Sequence, residues 1–165
     1  MSTQDNLKEA FAGESQANRK YLAFSQKAQG EGFEKVGRLF QVVAEAETIH
    51  ALKHLQVMKG VSSTLDNLKE AVAGEHHEFN EMYPGFIAEA EKEGNQQAQT
   101  SFHLANEVEK VHHKLYEKAL QAVEQQQDIQ TEAFFLCPVC GYVEENVAPG
   151  RCPVCGTPGT VFKKY

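Results

Sequence analysis

The sequence predicts a mainly α protein: a four-helix bundle made from a duplicated helical hairpin, followed by a small turn-rich module held by metal. Three observations carry this. Asn6-Leu7-Lys8-Glu9-Ala10-Phe11-Ala12-Gly13-Glu14 returns 61 residues later as Asn67-Leu68-Lys69-Glu70-Ala71-Val72-Ala73-Gly74-Glu75, with one change. A Glu-x-x-His pair, Glu47/His50, returns 62 residues later as Glu109/His112. All four cysteines lie between Cys137 and Cys155, as two Cys-Pro-Val-Cys-Gly turns.

The elements follow in order. From Asn6 to about Gln29, Leu7, Phe11, Tyr21, Leu22 and Phe24 recur at roughly helical spacing in a background of Ala, Glu, Lys and Gln. Gly30-Glu31-Gly32 ends this helix, because glycine takes the left-handed cap conformation readily. A second helix runs from about Phe33 to Lys59, with Val36, Leu39, Phe40, Val43, Ile49, Leu52 and Leu55 in its apolar positions. The short connection makes the two antiparallel neighbours. Gly60-Val61-Ser62-Ser63-Thr64 is a break with a Ser or Thr N-cap. A third helix spans about Leu65 to Glu93. Pro84 within it removes an amide donor and crowds the carbonyl of Asn80, which predicts a kink. Gly94 marks a turn, and a fourth helix runs from about Asn95 to Glu124. Gln125-Gln126-Gln127-Asp128 is a polar linker. The expected domains are 1–130 and 131–165. The second is too small to build a core without a metal.

Net charge is −7, which excludes nucleic acid and anionic membrane surfaces as favoured partners. There is no membrane-length apolar run, and the polar start of the chain lacks the layout of a signal peptide, so a soluble cytoplasmic protein is expected.

Residues three apart share a helix face. The duplication therefore brings Glu14, Glu75, Glu47/His50 and Glu109/His112 from four helices toward one interior. Four carboxylates and two imidazoles in a bundle core make a di-iron or di-manganese constellation. Clustered buried carboxylates are costly unless cations neutralise them, and mixed O/N ligation suits iron or manganese. Glu78 stands one turn beyond Glu75, where the first half has Ala17, so the two metal positions should differ. Any one of these acids alone would read as a solvated helix face; the repeat in register argues otherwise. Glu45 and Glu107 fall on the opposite side and read as solvated. His54, His76, His77, His103 and His113 have no motif partner and read as surface or outer-shell residues. Tyr21 and Tyr83 share the ligand face.

Four thiolates in two tight turns imply a tetrahedral zinc or iron site. Spacing alone does not decide between them, and in an isolated module zinc would be favoured. Fusion to a redox bundle favours iron, since such a site needs an electron supply. Two disulfides are the metal-free alternative, disfavoured in a cytosolic chain.

Over nearly its whole length the chain resembles the rubrerythrins, a ferritin-like di-iron bundle followed by a rubredoxin-like Fe(Cys)4 domain. The motifs are Ala-Gly-Glu-Ser-Gln-Ala at 12–17, the two Glu-x-x-His pairs, Gly-Glu-His-His-Glu at 74–78, Glu-Met-Tyr-Pro at 81–84 and both cysteine turns. The resemblance implies that Glu47 and Glu109 bridge two irons. It implies that Glu14 and Glu78 bind the first, with His50 exchanging for Glu78 on reduction, and that Glu75 and His112 bind the second. Cys137, Cys140, Cys152 and Cys155 would hold one further iron, and Tyr21 and Tyr83 match the family's tyrosines near the site. The implied activity is reduction of hydrogen peroxide to water in oxidative-stress protection. Electrons would return through the Fe(Cys)4 site from an NAD(P)H-driven reductase, often through free rubredoxin. Ferritin-class iron oxidation or storage is the alternative, which leaves the cysteine module without a role; a zinc-ribbon interaction module is a further one. The short break between the second and third helices cannot traverse a ferritin-like bundle, so a domain-swapped homodimer is expected.

Overall fold

The computed structural model describes residues 2–165. It contains helices α1 (Thr3–Gly30), α2 (Glu34–Val57), α3 (Thr64–His77), α4 (Tyr83–Lys92) and α5 (Gln96–Glu124). A π-turn, Glu78–Met82, separates α3 from α4. Strands β1 (Phe134–Leu136), β2 (Val143–Glu145) and β3 (Lys163–Lys164) form an antiparallel sheet in the order β2-β1-β3. The expected class, mainly α with a small C-terminal metal-knuckle domain, holds. The chain divides into two compact units, one ending at Ser62 and one running from Ser63 to Tyr165.

In the first unit α1 begins three residues earlier than the apolar pattern suggests. Ser2 supplies the reason: its hydroxyl accepts from the Asp5 amide at 3.2 Å, and the Asp5 carboxylate accepts from the Ser2 amide at 2.9 Å. This reciprocal cap satisfies two donors that the first turn would otherwise leave unpaired. At the far end Gly32 takes φ +86°, and the Phe33 amide returns to the Ala28 carbonyl at 2.8 Å. α2 then packs antiparallel on α1 along Gly37, Ala44 and Ala51, all buried. Small residues every seventh position let the backbones approach closely. A Cβ on Gly37 would stand 2.6 Å from Gln29 Cγ. Polar side chains then cross the seam: Ser25 Oγ donates to the Gly37 carbonyl at 2.8 Å, and Asn18 Nδ2 donates to the Ala44 carbonyl at 2.7 Å. Leu39, Val42, Ile49 and Leu52 of α2 stay more than half exposed within this unit.

In the second unit Ser63 caps α3, accepting from the Asp66 amide at 3.1 Å. The Ser63/Asp66 pair is the repeat copy of Ser2/Asp5. The helix expected across Pro84 is divided into α3, the π-turn and α4. The segment before Pro84 widens into the π-turn, where the Tyr83 amide reaches back five residues to the Glu78 carbonyl. The physical reason is an inserted residue. Glu14 and Glu75 are 61 apart, whereas Tyr21 and Tyr83, and Phe24 and Phe86, are 62 apart. One extra residue between Glu75 and Tyr83 is absorbed as one π-turn, which leaves the helix on both sides in register with α5. The aromatic packing repeats accordingly. Tyr21, Phe24 and Phe40 have ring centroids 5.5–6.1 Å apart, and Tyr83, Phe86 and Phe102 have them 5.5–6.3 Å apart.

The cysteine module sits on α5. Val108 is 2 % exposed and packs with Cys137, Tyr142 and Cys152, with Val111 and Phe162 at the margin. Lys118 Nζ donates to Glu145 Oε1 at 2.6 Å. Phe134 faces Glu145 and Leu136 faces Val143 across β1 and β2.

Candidate metal centres

Each helical hairpin collects three donors of its own. In the first unit Glu14, Glu47 and His50 place one donor atom each within 4.8 Å of the others. His50 Nδ1 stands 2.9 Å from Glu47 Oε2 and 3.7 Å from Glu14 Oε1. In the second unit Glu75, Glu109 and His112 do the same, with His112 Nδ1 2.7 Å from Glu109 Oε2. The Glu-x-x-His spacing produces both contacts, because three residues on a helix advance about 300° and leave the side chains adjacent.

The second cluster is the more enclosed. The His112 side chain is 25 % exposed, against 55 % for His50. Burial, then a hydrogen bond with Glu109 and that residue's charge, pushes Glu75 up to about 7. Glu109 is held below the ordinary carboxylate range, chiefly by its hydrogen bond with His112. His112 is raised, chiefly by the same bond. The shared proton therefore belongs to Glu75, and Glu109 is the anion. Glu78 lies outside the three-residue cluster but is raised by burial and by the charge of Glu109. Tyr83 is raised by burial and by the charges of Glu109, Glu78 and Glu75, which places its hydroxyl in the field of all three. Tyr21 packs against Phe24 and Phe40. One carboxylate, a carboxyl whose proton can leave and an imidazole nitrogen make a donor set suited to a hard or borderline divalent cation.

The far nitrogen of His112 was not legible as functional. Its Nε2 lies 3.0 Å from the carbonyl of Gly141, inside the first cysteine turn. A proton on Nε2 donated to that carbonyl would leave Nδ1 as the nitrogen that gives its lone pair to a cation, once the proton it shares with Glu109 is displaced; an outer contact of this kind fixes the tautomer of a ligating histidine. No sequence signal links positions 29 residues apart in this way. Glu45 and Glu107 are exposed as expected, and Glu107 pairs with Lys110. Of the histidines without a motif partner, His113 is half-buried, its Nδ1 3.1 Å from the Val72 carbonyl and its ring against His76 and Phe79.

The four cysteines are free thiols gathered within 4.8 Å. Cys137 and Cys155 sulfurs are 3.6 Å apart, and those of Cys140 and Cys152 are 3.5 Å apart. A disulfide needs about 2.05 Å. A tetrahedron with metal–sulfur bonds of about 2.3 Å has edges of about 3.8 Å, so the arrangement fits a metal. Gly141 and Gly156, at φ +87° and +75°, close the two turns and return their amides to the Cys137 and Cys152 carbonyls. Burial pushes the Cys155 thiol up, but hydrogen bonds from the Thr157 hydroxyl and amide outweigh it and hold it at about 6. Burial drives Cys140 far above the ordinary thiol range, a cost that a bound cation removes.

Comparison with known proteins decides the family. Residues 5–120 match the model of the Rubrerythrin family, and residues 135–163 match its rubredoxin-like domain. The chain belongs to the rubrerythrin family. It is 34 % identical to Rubrerythrin-2 of Clostridium acetobutylicum, covering 99 % of this chain and 96 % of that one. It is 36 % identical to nigerythrin of Nitratidesulfovibrio vulgaris, over 99 % and 87 % of the two chains. The solved structure of nigerythrin in its fully reduced, all-ferrous state aligns with a TM-score of 0.60 at 34 % identity, covering all of this chain and 87 % of that one. As a rubrerythrin, the chain carries a di-iron site and a rubredoxin-like Fe(Cys)4 site, and both donor sets described above fit. No helix among the described residues is long and apolar enough to cross a membrane.

Proposed function

We propose that this rubrerythrin is a non-haem peroxidase that reduces hydrogen peroxide to water, in the cytoplasm, as a defence against oxidative stress. Its electrons come through the Fe(Cys)4 module from an NAD(P)H-driven rubredoxin or reductase chain. The observation that carries the reading is His112. One nitrogen stands among the carboxylates of the bundle, and the other reaches the Gly141 carbonyl of the cysteine module. A storage protein has no use for that connection.

In this reading Glu47 and Glu109 would be shared by the two irons, Glu14 and Glu78 would hold one of them with His50 as the alternative to Glu78, and Glu75 and His112 would hold the other. Cys137, Cys140, Cys152 and Cys155 would hold the third. When bound, the iron pair supplies two electrons and Lewis acidity to the peroxide. The chain's own groups supply the rest. Tyr83 keeps its phenolic proton, because burial and three carboxylates oppose its ionisation, and so stands as a hydrogen-bond donor beside the site. Tyr21 is its counterpart from the other half of the repeat. Glu78, raised by burial and by the charge of Glu109, holds its proton more readily than an ordinary carboxyl and would give it up on taking a metal. The functional division lies near residue 130: 1–130 for peroxide chemistry and 131–165 for electron entry.

The assembly is a domain-swapped homodimer. Eleven helical steps from Thr64 to Glu75 and seven from His50 to Val57 amount to a rise of about 27 Å. Lys59 and Gly60 are still tied to α2, their amides accepted by the Gln56 and Leu55 carbonyls. The chain from Gly60 to Thr64 reaches only about 14 Å when extended. α1 and α2 of one copy therefore complete the centre with α3–α5 of another.

The test is turnover. The reduced Cys site should be oxidised by hydrogen peroxide much faster than by air-saturated buffer. Equal rates, or iron uptake without peroxide consumption, would assign the protein to iron oxidation instead.

A further inference from the structure

The repeat relates two helix faces with different fates. On α5, Val108 and Val111 carry the cysteine module, His112 meets its Gly141 carbonyl, and Lys118 pairs with its Glu145. At the offset of 62, these positions correspond to Ala46, Ile49, His50 and Gln56 of α2. Leu104, one turn before Val108, corresponds to Val42. The apolar character of the seat has thus been kept on α2, although the chain has only one module to place there. Leu39, Val42 and Ile49 are 63 %, 66 % and 68 % exposed within their unit.

This face is not the ligand face. At 100° per residue, Leu39, Val42, Ala46 and Ile49 fall within an arc of about 80°, centred about 120° from Glu47. Nor is it the face that meets α1, which is the buried line of Gly37, Ala44 and Ala51. His50 lies at its edge, as His112 lies at the edge of the occupied seat. His50 even repeats the Nδ1 contact to its own Glu-x-x-His carboxylate, at 2.9 Å against 2.7 Å.

The rim of the face is mostly basic, three cations against the exposed Glu45. Lys35, Arg38 and Lys53 are all exposed along it, in a chain whose net charge is −7. On the occupied seat the cation Lys118 engages a knuckle carboxylate. On α2 the counterpart of Lys118 is Gln56, and Lys53 stands one turn earlier, 3.3 Å from the Gln56 amide oxygen. A basic rim around an apolar strip selects an acidic partner with a small apolar contact face.

We propose that the Leu39–Ile49 face of α2 is a second docking seat, for an acidic rubredoxin-like Fe(Cys)4 protein that acts as electron donor. The inference rests on the electron-relay reading above and adds the place where the external donor binds. The knuckle of the donor would lie on Ala46 and Ile49 as the chain's own knuckle lies on Val108 and Val111, with Val42 beside it and the donor's carboxylates toward Lys35, Arg38 and Lys53.

The experiment titrates the full-length, iron-loaded protein with an acidic rubredoxin carrying zinc, which separates docking from electron transfer. Calorimetry at low salt should give saturable binding that weakens as salt is raised. Val42→Glu should weaken it at least tenfold. Arg38→Glu, which removes no apolar contact and leaves folding undisturbed by circular dichroism, should weaken it several-fold. Carboxylate-to-lysine cross-links should fall on Lys35 and Lys53. Unchanged affinity in both variants, absence of wild-type binding, or cross-links confined to other helices would overturn the proposal. So would a change of oligomeric state in both variants with rubredoxin affinity intact, which would assign the face to another copy of this chain. Iron-loaded rubredoxin keeps the two readings apart. If it reduces wild type and variants equally fast, the relay stands and the seat fails; if it reduces none of them, the relay itself fails.

Discussion

Metal binding to the second cluster should release protons in an amount that the geometry sets. Glu75 is pushed up to about 7 by burial, its bond with Glu109 and the neighbouring charge. A carboxyl with that value is about 90 % protonated at pH 6 and about 10 % at pH 8. Ligation requires the anion, so loading should expel about 0.9 proton from Glu75 at pH 6 and about 0.1 at pH 8. His112, also raised, adds to the release at the acidic end, whereas Glu109 is lowered and adds nothing. Competition with the Glu75 proton alone weakens metal binding at pH 6 by about tenfold relative to its alkaline limit. Carboxylates brought by a second copy would push Glu75 further up, so these figures are lower bounds. The sign for the metal-free protein is opposite. Between the unfolded value and about 7, the folded state binds more protons, so apo stability falls as pH rises through that window. The assay is Mn(II) calorimetry in two buffers of different ionisation enthalpy at pH 6 and 8, on wild type and Glu75→Gln. Proton release that does not change with pH, or that survives intact in Glu75→Gln, would refute the assignment of the proton to Glu75.

Swapping is tested by co-refolding a Glu14→Gln/Glu47→Gln chain with a Glu75→Gln/Glu109→Gln chain. Random pairing makes half of the dimers mixed, and one of two centres in each is complete, so about a quarter of the di-iron spectrum should return; unswapped chains return none. Cys140→Ser should remove the red ferric Fe(Cys)4 colour and donor-dependent turnover while the di-iron absorbance persists; loss of both centres would contradict the proposed division near residue 130. Deleting the exposed Asn80 should convert the π-turn to regular α-helix while α3 and α4 keep their register on α5, as α1 keeps its own without the extra residue. The melting temperature should therefore change little. A loss of about 2–4 kcal/mol, comparable to truncating one large core side chain, would show that the π-turn does not absorb the extra residue.

What could be read before the fold, and what could not, follows the range of each interaction. Helix existence, the caps at Gly32 and Ser63, and the adjacency of Glu47 to His50 and Glu109 to His112 are local, and local spacing predicts them. The π-turn was also written in the chain, as the change of repeat offset from 61 at Glu75 to 62 at Tyr83. Pro84 accounts for a missing amide donor, but only an inserted residue explains why the Tyr83–Phe86–Phe102 cluster keeps the geometry of Tyr21–Phe24–Phe40. The Gly141–His112 contact left no trace, because a carbonyl is the same at every residue. The same reasoning shows what each hairpin lacks. A Glu-x-x-His helix and its partner deliver two carboxylates and one imidazole, enough to bias one cation but not to neutralise and enclose two. In the swapped assembly proposed above, the duplication would supply the second set, because Val61-Ser62-Ser63 is too short for a chain to bring its own two sets together. The insertion falls on one set only, beside Glu78. In that proposal a symmetric repeat would give two equal irons, and the one extra residue in the π-turn would make them unequal.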